Sequence, residues 1–151
     1  MGIQGSLGAT WKISAAQPAT ENEAGYAALS YTEVNEIASL GAIGPTFEDV
    51  TFTPLKDVIT QHRKGGADYG QLTVSMAVDN SDAGQTLVAS GVDGAEKNTV
   101  FSHKVTLQDG AVRYFQGQIY SNPENVGTAS DMVLSEVNVM LSSGIVKVAA
   151  P

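Results

Sequence analysis

Alternation of apolar and polar residues with a period of two is the dominant pattern along the chain. The clearest run, residues 72–78, places Leu72, Val74 and Met76 on one face and small side chains on the other. Successive side chains of a β-strand point to opposite faces, so this pattern indicates a half-buried strand. By the same criterion, strands are predicted at 11–13, 34–37, 50–52, 101–107, 133–141 and 145–148.

Turn residues separate these predicted strands. Asp109-Gly110 lies between two alternating runs and predicts a hairpin with a type I′ turn, because both central residues of that turn need a positive φ. Pro123 ends the strand that runs through Tyr120, since proline has no amide proton to donate. Residues 142–144 are expected to join the last two strands. Together these features predict a mainly β fold.

One helix is predicted beside the sheet. Ser81 or Asp82 can cap it, and Gln85 lies three residues after Asp82, as in a capping box. Gly91 or Gly94 is expected to end it. Because the helix also contains Gly84 and Thr86, most of its stability has to come from packing. The residues expected to face the sheet are Leu87, Val88 and Gly91.

Two long stretches, residues 15–31 and 54–70, show no clear pattern. Long irregular connections in a compact domain are usually functional or disordered. We interpret both as arms that touch neighbouring subunits, the second with a turn at residues 64–66. Nothing in between indicates a linker, so residues 1–151 are expected to form one domain.

The charge balance argues against tight binding to nucleic acid. Sixteen acidic and eight basic residues leave a formal net charge of −8. Binders of DNA need the opposite balance, because their affinity comes from cations that displace condensed counterions. The chain also has no cysteine, so no thiolate metal site or thiol nucleophile is available. Without a secretory signal at the start, the cytoplasm is the expected place of synthesis and assembly.

No constellation of residues indicates catalysis, a cofactor or a metal. The two histidines, His62 and His103, lack the nucleophile and orienting carboxylate of a catalytic group, and a structural role is expected for both. Glu48 and Asp49 are neighbours on a predicted strand, so they point to opposite faces and cannot act as an acid/base pair. The chain is therefore not expected to be an enzyme.

A series of short segments resembles the tail tube proteins of phages with long, non-contractile tails. The central part of the series is Leu40-Gly41-Ala42-Ile43-Gly44-Pro45-Thr46-Phe47-Glu48-Asp49-Val50-Thr51, followed by Thr53-Pro54-Leu55 and by Arg63-Lys64-Gly65-Gly66-Ala67-Asp68-Tyr69-Gly70. Upstream lie Trp11-Lys12-Ile13-Ser14-Ala15, Pro18-Ala19-Thr20 and Ala24-Gly25-Tyr26, and downstream lies Asp82-Ala83-Gly84. The similarity runs in order over residues 10–120.

This resemblance implies a β-sandwich or barrel-like domain with one flanking helix. It also implies that six copies form a ring and that rings stack into a tube. The implied partners are further copies of the chain, a tape-measure protein and tail terminator and tip proteins, and DNA passes through the tube without sequence-specific binding. The implied location is the virion tail.

Within this hypothesis, ten residues are candidate site residues. Acids that face the bore would repel DNA and let it slide, and strand positions favour Glu33, Glu36, Glu48 and Asp49 for that role. Contacts between subunits are expected at Tyr26, Tyr31, Arg63, Lys64, Asp68 and Tyr69.

Three alternatives differ from this hypothesis. The chain could form the inner tube of a contractile tail, since the sequence neither demands nor excludes a sheath. It could be a monomeric sandwich-type binding module, although such modules usually present exposed aromatic residues, and the single tryptophan, Trp11, lies in a predicted strand. An enzyme is the weakest alternative, for the reasons given above.

Overall fold

The computed structural model describes residues 3–151 and is mostly β, with 42% of residues in strands and 11% in two helices. In chain order the elements are β1 (Thr10–Ser14), α1 (Glu23–Ala27), β2 (Thr32–Val34), β3 (Ile37–Leu40), β4 (Thr46–Phe52), β5 (Gln61–Asp68), β6 (Gln71–Ala77), α2 (Ala83–Asp93), β7 (Phe101–Thr106), β8 (Val112–Ser121), β9 (Glu124–Asn125), β10 (Leu134–Leu141) and β11 (Val146–Val148). The predicted mainly β fold is confirmed.

Nine strands form one antiparallel sheet in the order β2-β1-β7-β8-β10-β6-β3, with β11 paired to β8 and β9 paired to β10. The end strands β2 and β3 are separated only by Asn35 and Glu36, which span at most about 11 Å. The sheet therefore curls until its two edges meet at this corner, and we call the result the barrel. The predicted continuous strand at 34–37 is wrong, because Glu36 adopts φ 62° and breaks it.

Apolar residues of the alternating strands fill the barrel, as the period-two pattern predicts. His103 lies among them, fully buried and stacked between the rings of Trp11 and Phe115. Nε1–H of Trp11 donates to Nδ1 of His103 (3.2 Å), and Nε2 donates to the carbonyl of Gly117 (3.0 Å). Both ring nitrogens are satisfied, which gives this histidine the structural role expected for it. The largest other core residues are Ile13, Leu72, Val74, Met76, Val88, Phe101, Val137 and Val139.

Helix α2 covers the barrel at the β2–β3 corner. The Asp82 carboxylate accepts from the Gln85 amide (3.1 Å), so the predicted cap is confirmed. The Gln85 side chain does not complete a capping box; its amide donates to the carbonyls of Ala77 (2.8 Å) and Asn35 (3.1 Å) and ties the helix to the corner. A Cβ at Gly84 would lie 2.2 Å from the Glu33 carbonyl, so glycine is what permits this close approach.

The β7–β8 hairpin is confirmed, but its turn differs from the predicted type I′. The Gly110 amide donates to the Leu107 carbonyl (3.0 Å), and Gly110 has φ 95°. Asp109 is not in the positive-φ region. The loop is thus a turn closed by one left-handed glycine, the geometry that three-residue hairpin loops commonly use.

Residues 15–31, for which the sequence shows no pattern, fold onto the outer face of the sheet. Asn22 caps the short helix α1 by accepting from the Gly25 amide (2.9 Å). Tyr26 is fully buried and stacks on Tyr114 of β8, with 5.2 Å between ring centroids. Only one flanking helix was expected, and α1 is an addition to that prediction.

The only other sheet in residues 3–151 is the two-stranded pair β4–β5, which projects from the barrel. We call residues 46–68 the arm and residues 53–60, between its strands, the tip. The predicted strand at 50–52 forms part of β4. The prediction of an irregular stretch over 54–70 with a turn at residues 64–66 is wrong at residues 61–68, which form β5. Gly65 and Gly66 lie within β5 and form a bulge. The bulge shifts the register with β4 between Phe47 and Asp49.

Candidate assembly surfaces

The arm has no buried face. Every residue of β4 is exposed, and so is every residue of β5 except Gly65, which is half-buried. Two of these exposed side chains are apolar: Phe52 is 66% exposed and Val50 is 53% exposed. An isolated two-stranded hairpin is at best marginally stable in water, and clustered apolar groups on a surface usually mark a contact with another molecule. The arm therefore has the properties of an element that is completed by a partner.

Polar and charged groups lie between the apolar side chains of the arm. His62 Nδ1 lies 2.8 Å from a carboxylate oxygen of Asp49, and both side chains are more than half exposed. The Lys64 ammonium lies 4.9 Å from the ring centroid of Phe47. Exposed pairs of this kind contribute little stability because water screens them. These groups lie on the surface of the hairpin and do not form a catalytic centre.

The four acids predicted to face a bore occupy two places. Glu48 and Asp49 lie next to each other on β4, in the arm, whereas Glu33 and Glu36 lie at the β2–β3 corner of the barrel. All four are exposed. Glu36 lies between strands and not on one, so the reason given for choosing it was wrong, although the residue stays accessible.

The residues predicted to contact other subunits also occupy two separate places. Arg63, Lys64 and Asp68 are exposed on β5, and Tyr69 follows directly at the base of the arm. Tyr31 is half-buried, and its hydroxyl donates to the Tyr26 carbonyl (2.9 Å).

Tyr26 and Tyr31 belong to a cluster of three tyrosines inside the protomer, and the half-buried Tyr31 stays a predicted contact residue. The ring of Tyr31 lies 6.3 Å from that of Tyr114, which in turn stacks on Tyr26. Burial raises the pKa of Tyr31 well above its usual value, and Tyr114 and Tyr26 raise it further. Burial also raises the pKa of Tyr114, with a smaller contribution from Glu23. The full burial of Tyr26 leaves its side chain no surface for another subunit.

An apolar cavity of about 450 Å³ opens beside the base of the arm. Gly44, Pro45 and Tyr69, which flank the arm in sequence, form part of its wall. Two cations also line it, Arg113 on β8 and Lys147 on β11, and these residues are direct cross-strand partners. No sequence pattern predicts this cavity, because its walls come from segments far apart in the chain. The apolar lining residues include Leu40, Ile43, Leu72, Val105, Leu107 and Ile145.

Residues 3–151 contain no group of three His, Asp or Glu side chains placed to hold a metal ion. Within the same residues, no helix is long and apolar enough to cross a membrane. The features of the surface that remain to be explained are the arm and the cavity.

No protein-family model matches the sequence, and no curated protein sequence matches it. Among solved structures, the chain is similar to one from the SPP1 tail tube, with a TM-score of 0.65, 11% identity, and coverage of 93% of this chain and 76% of that one. A chain in the tail of an empty gene transfer agent particle, solved with C6 symmetry, gives a TM-score of 0.63 and 12% identity, covering 81% and 89%. A chain of a contractile injection system's sheath–tube complex in the extended state gives a TM-score of 0.61 and 8% identity, covering 93% and 88%.

At these identities the likeness shows the fold. It is the antiparallel β fold found in tail tube proteins of phage-like particles. The chains that share it are structural components of such particles and not enzymes. They come from phage tails and from contractile injection systems alike.

Proposed function

We propose that this chain is the subunit of a phage-like tail tube. Six copies close into a ring, rings stack into a hollow tube, and the tube conducts genomic DNA into the host. The observation that carries the proposal is the arm, a hairpin with apolar side chains on its surface whose two strands, among residues 3–151, pair only with each other. The fold shared with the SPP1 tail tube and with a C6-symmetric tail supports the same conclusion.

Stacking requires a heterologous contact, in which two different surfaces of the subunit meet. A ring closes through one heterologous contact between neighbours, and a stack extends through a second, axial one. A projecting arm suits the axial contact, because it reaches beyond the barrel that carries it. Arg63, Lys64, Asp68 and Tyr69, on the arm or at its base, are the contact residues of this proposal.

The net charge suits a conduit. Each copy carries −8, so a ring of six carries about six times that charge and sets up a strong negative field. Glu33, Glu36, Glu48 and Asp49 face the bore in this proposal. DNA then meets no row of cations and slides without being held.

The further partners are a tape-measure protein inside the tube and terminator and tip proteins at its ends. The subunit assembles in the host cytoplasm and resides in the virion tail. We favour a non-contractile tail. The alternative is the inner tube of a contractile machine, which the similarity to a sheath–tube complex favours; images of intact tails distinguish the two by the presence of an outer layer.

Negative-stain images of the purified chain test the proposal. We expect rings and stacked tubes, and we expect Phe52→Asp in the arm to leave rings but no tubes. Met132→Asp is the matched control, because Met132 is similarly exposed (75%) but lies outside the arm. Monomers under every assembly condition would contradict the proposal, as would equal loss of tubes in both variants.

Retention of labelled DNA by assembled tubes tests the acidic bore. Neutralising Glu33, Glu36, Glu48 and Asp49 is expected to increase retention at low salt, with the increase disappearing at high salt. The matched control neutralises four other acids, which keeps the total charge equal. Equal retention in the two variants would contradict the assignment of the bore. The control residues are Asp93, Glu96, Asp109 and Glu124.

A further inference from the structure

The apolar cavity at the base of the arm lacks an occupant in the protomer and has a defined chemistry. Its volume of about 450 Å³ is about three times that of a cavity that holds one benzene molecule. It therefore has room for two or three aliphatic side chains. Leu40, Ile43 and Leu107 give it an apolar wall.

Two positive charges accompany this apolar wall. Arg113 and Lys147 are cross-strand partners. The one ion pair found among residues 3–151 joins His62 and Asp49, so neither cation has a carboxylate partner within the protomer. The Arg113 guanidinium donates only to a backbone carbonyl, that of Val112 (3.1 Å). An occupant that fits this cavity is apolar and carries an acid.

The tip of the arm has that composition. Leu55, Val58 and Ile59 are 101%, 79% and 70% exposed, and Asp57 lies exposed among them. Residues 126–134 also expose apolar side chains around a carboxylate, but there the Asp131 carboxylate already accepts from the amide (2.9 Å) and the hydroxyl (3.0 Å) of Thr128. The tip thus complements the cavity in polarity, and the Asp57 carboxylate, beside the exposed Lys56, is its group that can pair with the two cations.

The tip is also held in a fixed shape. The Val58 amide donates to the Pro54 carbonyl (3.1 Å), and the hydroxyls of Thr53 and Thr60 lie 3.0 Å apart. Val58 has φ 50°, which is a costly conformation for a β-branched residue. Strain of this kind in an exposed loop is typical of a segment whose shape serves a contact.

The tip cannot fill the cavity of its own protomer. β4 leaves the cavity rim after Pro45 and runs for seven residues before the tip begins. At the rise of a β-strand this separates the tip from the rim by about 20 Å. The cavity that a tip can reach is therefore in another copy.

On the basis of the proposed function, we propose that the tip of each subunit inserts into the cavity of a subunit in the next ring. Leu55, Val58 and Ile59 enter the apolar space, and the Asp57 carboxylate pairs with Arg113 and Lys147. The contact joins two different surfaces, so it repeats without closing and extends a stack. The tip and the cavity lie at opposite ends of the arm. Each subunit therefore inserts its tip into one neighbour and accepts the tip of another neighbour in its cavity.

Disulfide trapping tests this contact directly, because the chain contains no cysteine. The double variant Leu55→Cys/Ile43→Cys is assembled, oxidised and run on a denaturing gel. We expect a covalent ladder from the double variant and monomers from each single variant. Leu55→Cys/Ser130→Cys is the matched control, since Ser130 is exposed and lies outside the cavity, and it should give no ladder. Tubes that form without a ladder would overturn the contact and leave the proposed function intact.

A charge swap provides an independent test. Asp57→Arg is expected to lower the yield of tubes about tenfold or more, because it leaves like charges facing each other. Arg113→Asp/Lys147→Asp should do the same, and combining both changes should restore tubes. Asp57 is exposed, so circular dichroism should show an unchanged protomer.

The outcomes of the swap separate the two proposals. Wild-type tubes with an unaffected Asp57→Arg variant would overturn the cavity contact alone. A wild-type chain that forms neither rings nor tubes would overturn both. Native mass spectrometry of the unassembled protomer adds a third arm, because a small apolar molecule found in the cavity would replace the tip as its occupant.

Discussion

The barrel and the arm are built from the same kind of strand under opposite conditions. In the barrel, Val137 and Val139 face inward and are fully buried, while their neighbours face out. In the arm, Val50 and Phe52 alternate with polar residues in the same way and stay exposed. Alternation therefore specifies a strand in both places, but only the barrel supplies its own core. In the proposed assembly, neighbouring copies supply the contacts that the arm lacks.

Truncating one aromatic side chain in the barrel and one in the arm should give the largest difference in protomer stability between the two regions. Phe115→Ala removes a fully buried ring and is expected to lower the free energy of unfolding by about 3–5 kcal/mol. Phe52→Ala removes an exposed ring and should leave the stability of the unassembled protomer unchanged while reducing stacking. Urea denaturation of both variants measures the difference. Equal losses of stability would mean that the arm packs on its own barrel.

The next largest effect is a pH dependence that belongs to the barrel alone. Burial lowers the pKa of His103 to about 4, whereas an unfolded histidine titrates near pH 6.5. The unfolded chain therefore binds more protons between these values. Stability should fall by up to about 3 kcal/mol as the pH drops from about 6.5 to about 4.

Denaturation midpoints measured across that range, with His103→Gln as the comparison, test the assignment. The variant cannot titrate at this position, so its stability should depend less on pH. An identical slope in the two proteins would show that other groups control the acid response.

Glycine substitutions sharpen the comparison at the level of the backbone. Gly84→Ala places a Cβ 2.2 Å from the Glu33 carbonyl, and the resulting displacement of α2 is expected to cost about 1–3 kcal/mol. Gly66→Ala in the arm meets no atom within 4 Å and should change the protomer little. Thermal denaturation measures both, and a large loss for Gly66→Ala would contradict the open environment of the arm.

The smallest effect is expected from the ion pair of the arm. Asp49→Asn removes the partner of His62, but both side chains are more than half exposed. Water screens such a pair, so the thermal midpoint of the protomer should not change measurably. A clear drop in the thermal midpoint would show that this pair orders the hairpin.

The barrel strands could be predicted from the sequence because burial leaves a pattern. Residues 72–78 show their inward face as apolar residues at every second position. Residues 133–141 do the same except at Ser135, and both segments form strands in the structure. β5 could not be predicted, because Gln61–Asp68 contains no large apolar residue and has no buried face. The break at Glu36 was missed for a different reason: its positive φ is set by the closure of the barrel, not by local sequence.

The surfaces depend on contacts that are remote in sequence. Tyr26 was predicted to touch another subunit, but stacking on Tyr114, 88 residues further on, buries it. The cavity brings together Ile43, Leu107 and Lys147, and no local pattern links them. In contrast, the cap at Asp82 was predictable, because it acts on an amide three residues away.

Hydrogen exchange at the amides of the arm tests the central claim most directly. The account predicts rapid exchange throughout residues 46–68 in the unassembled protomer, with slow exchange in β7, β8 and β10 of the barrel. In assembled tubes the arm and its tip should become protected to a level close to that of the barrel. An arm already protected in the isolated protomer, or still unprotected in tubes, would contradict the claim that neighbouring copies complete it.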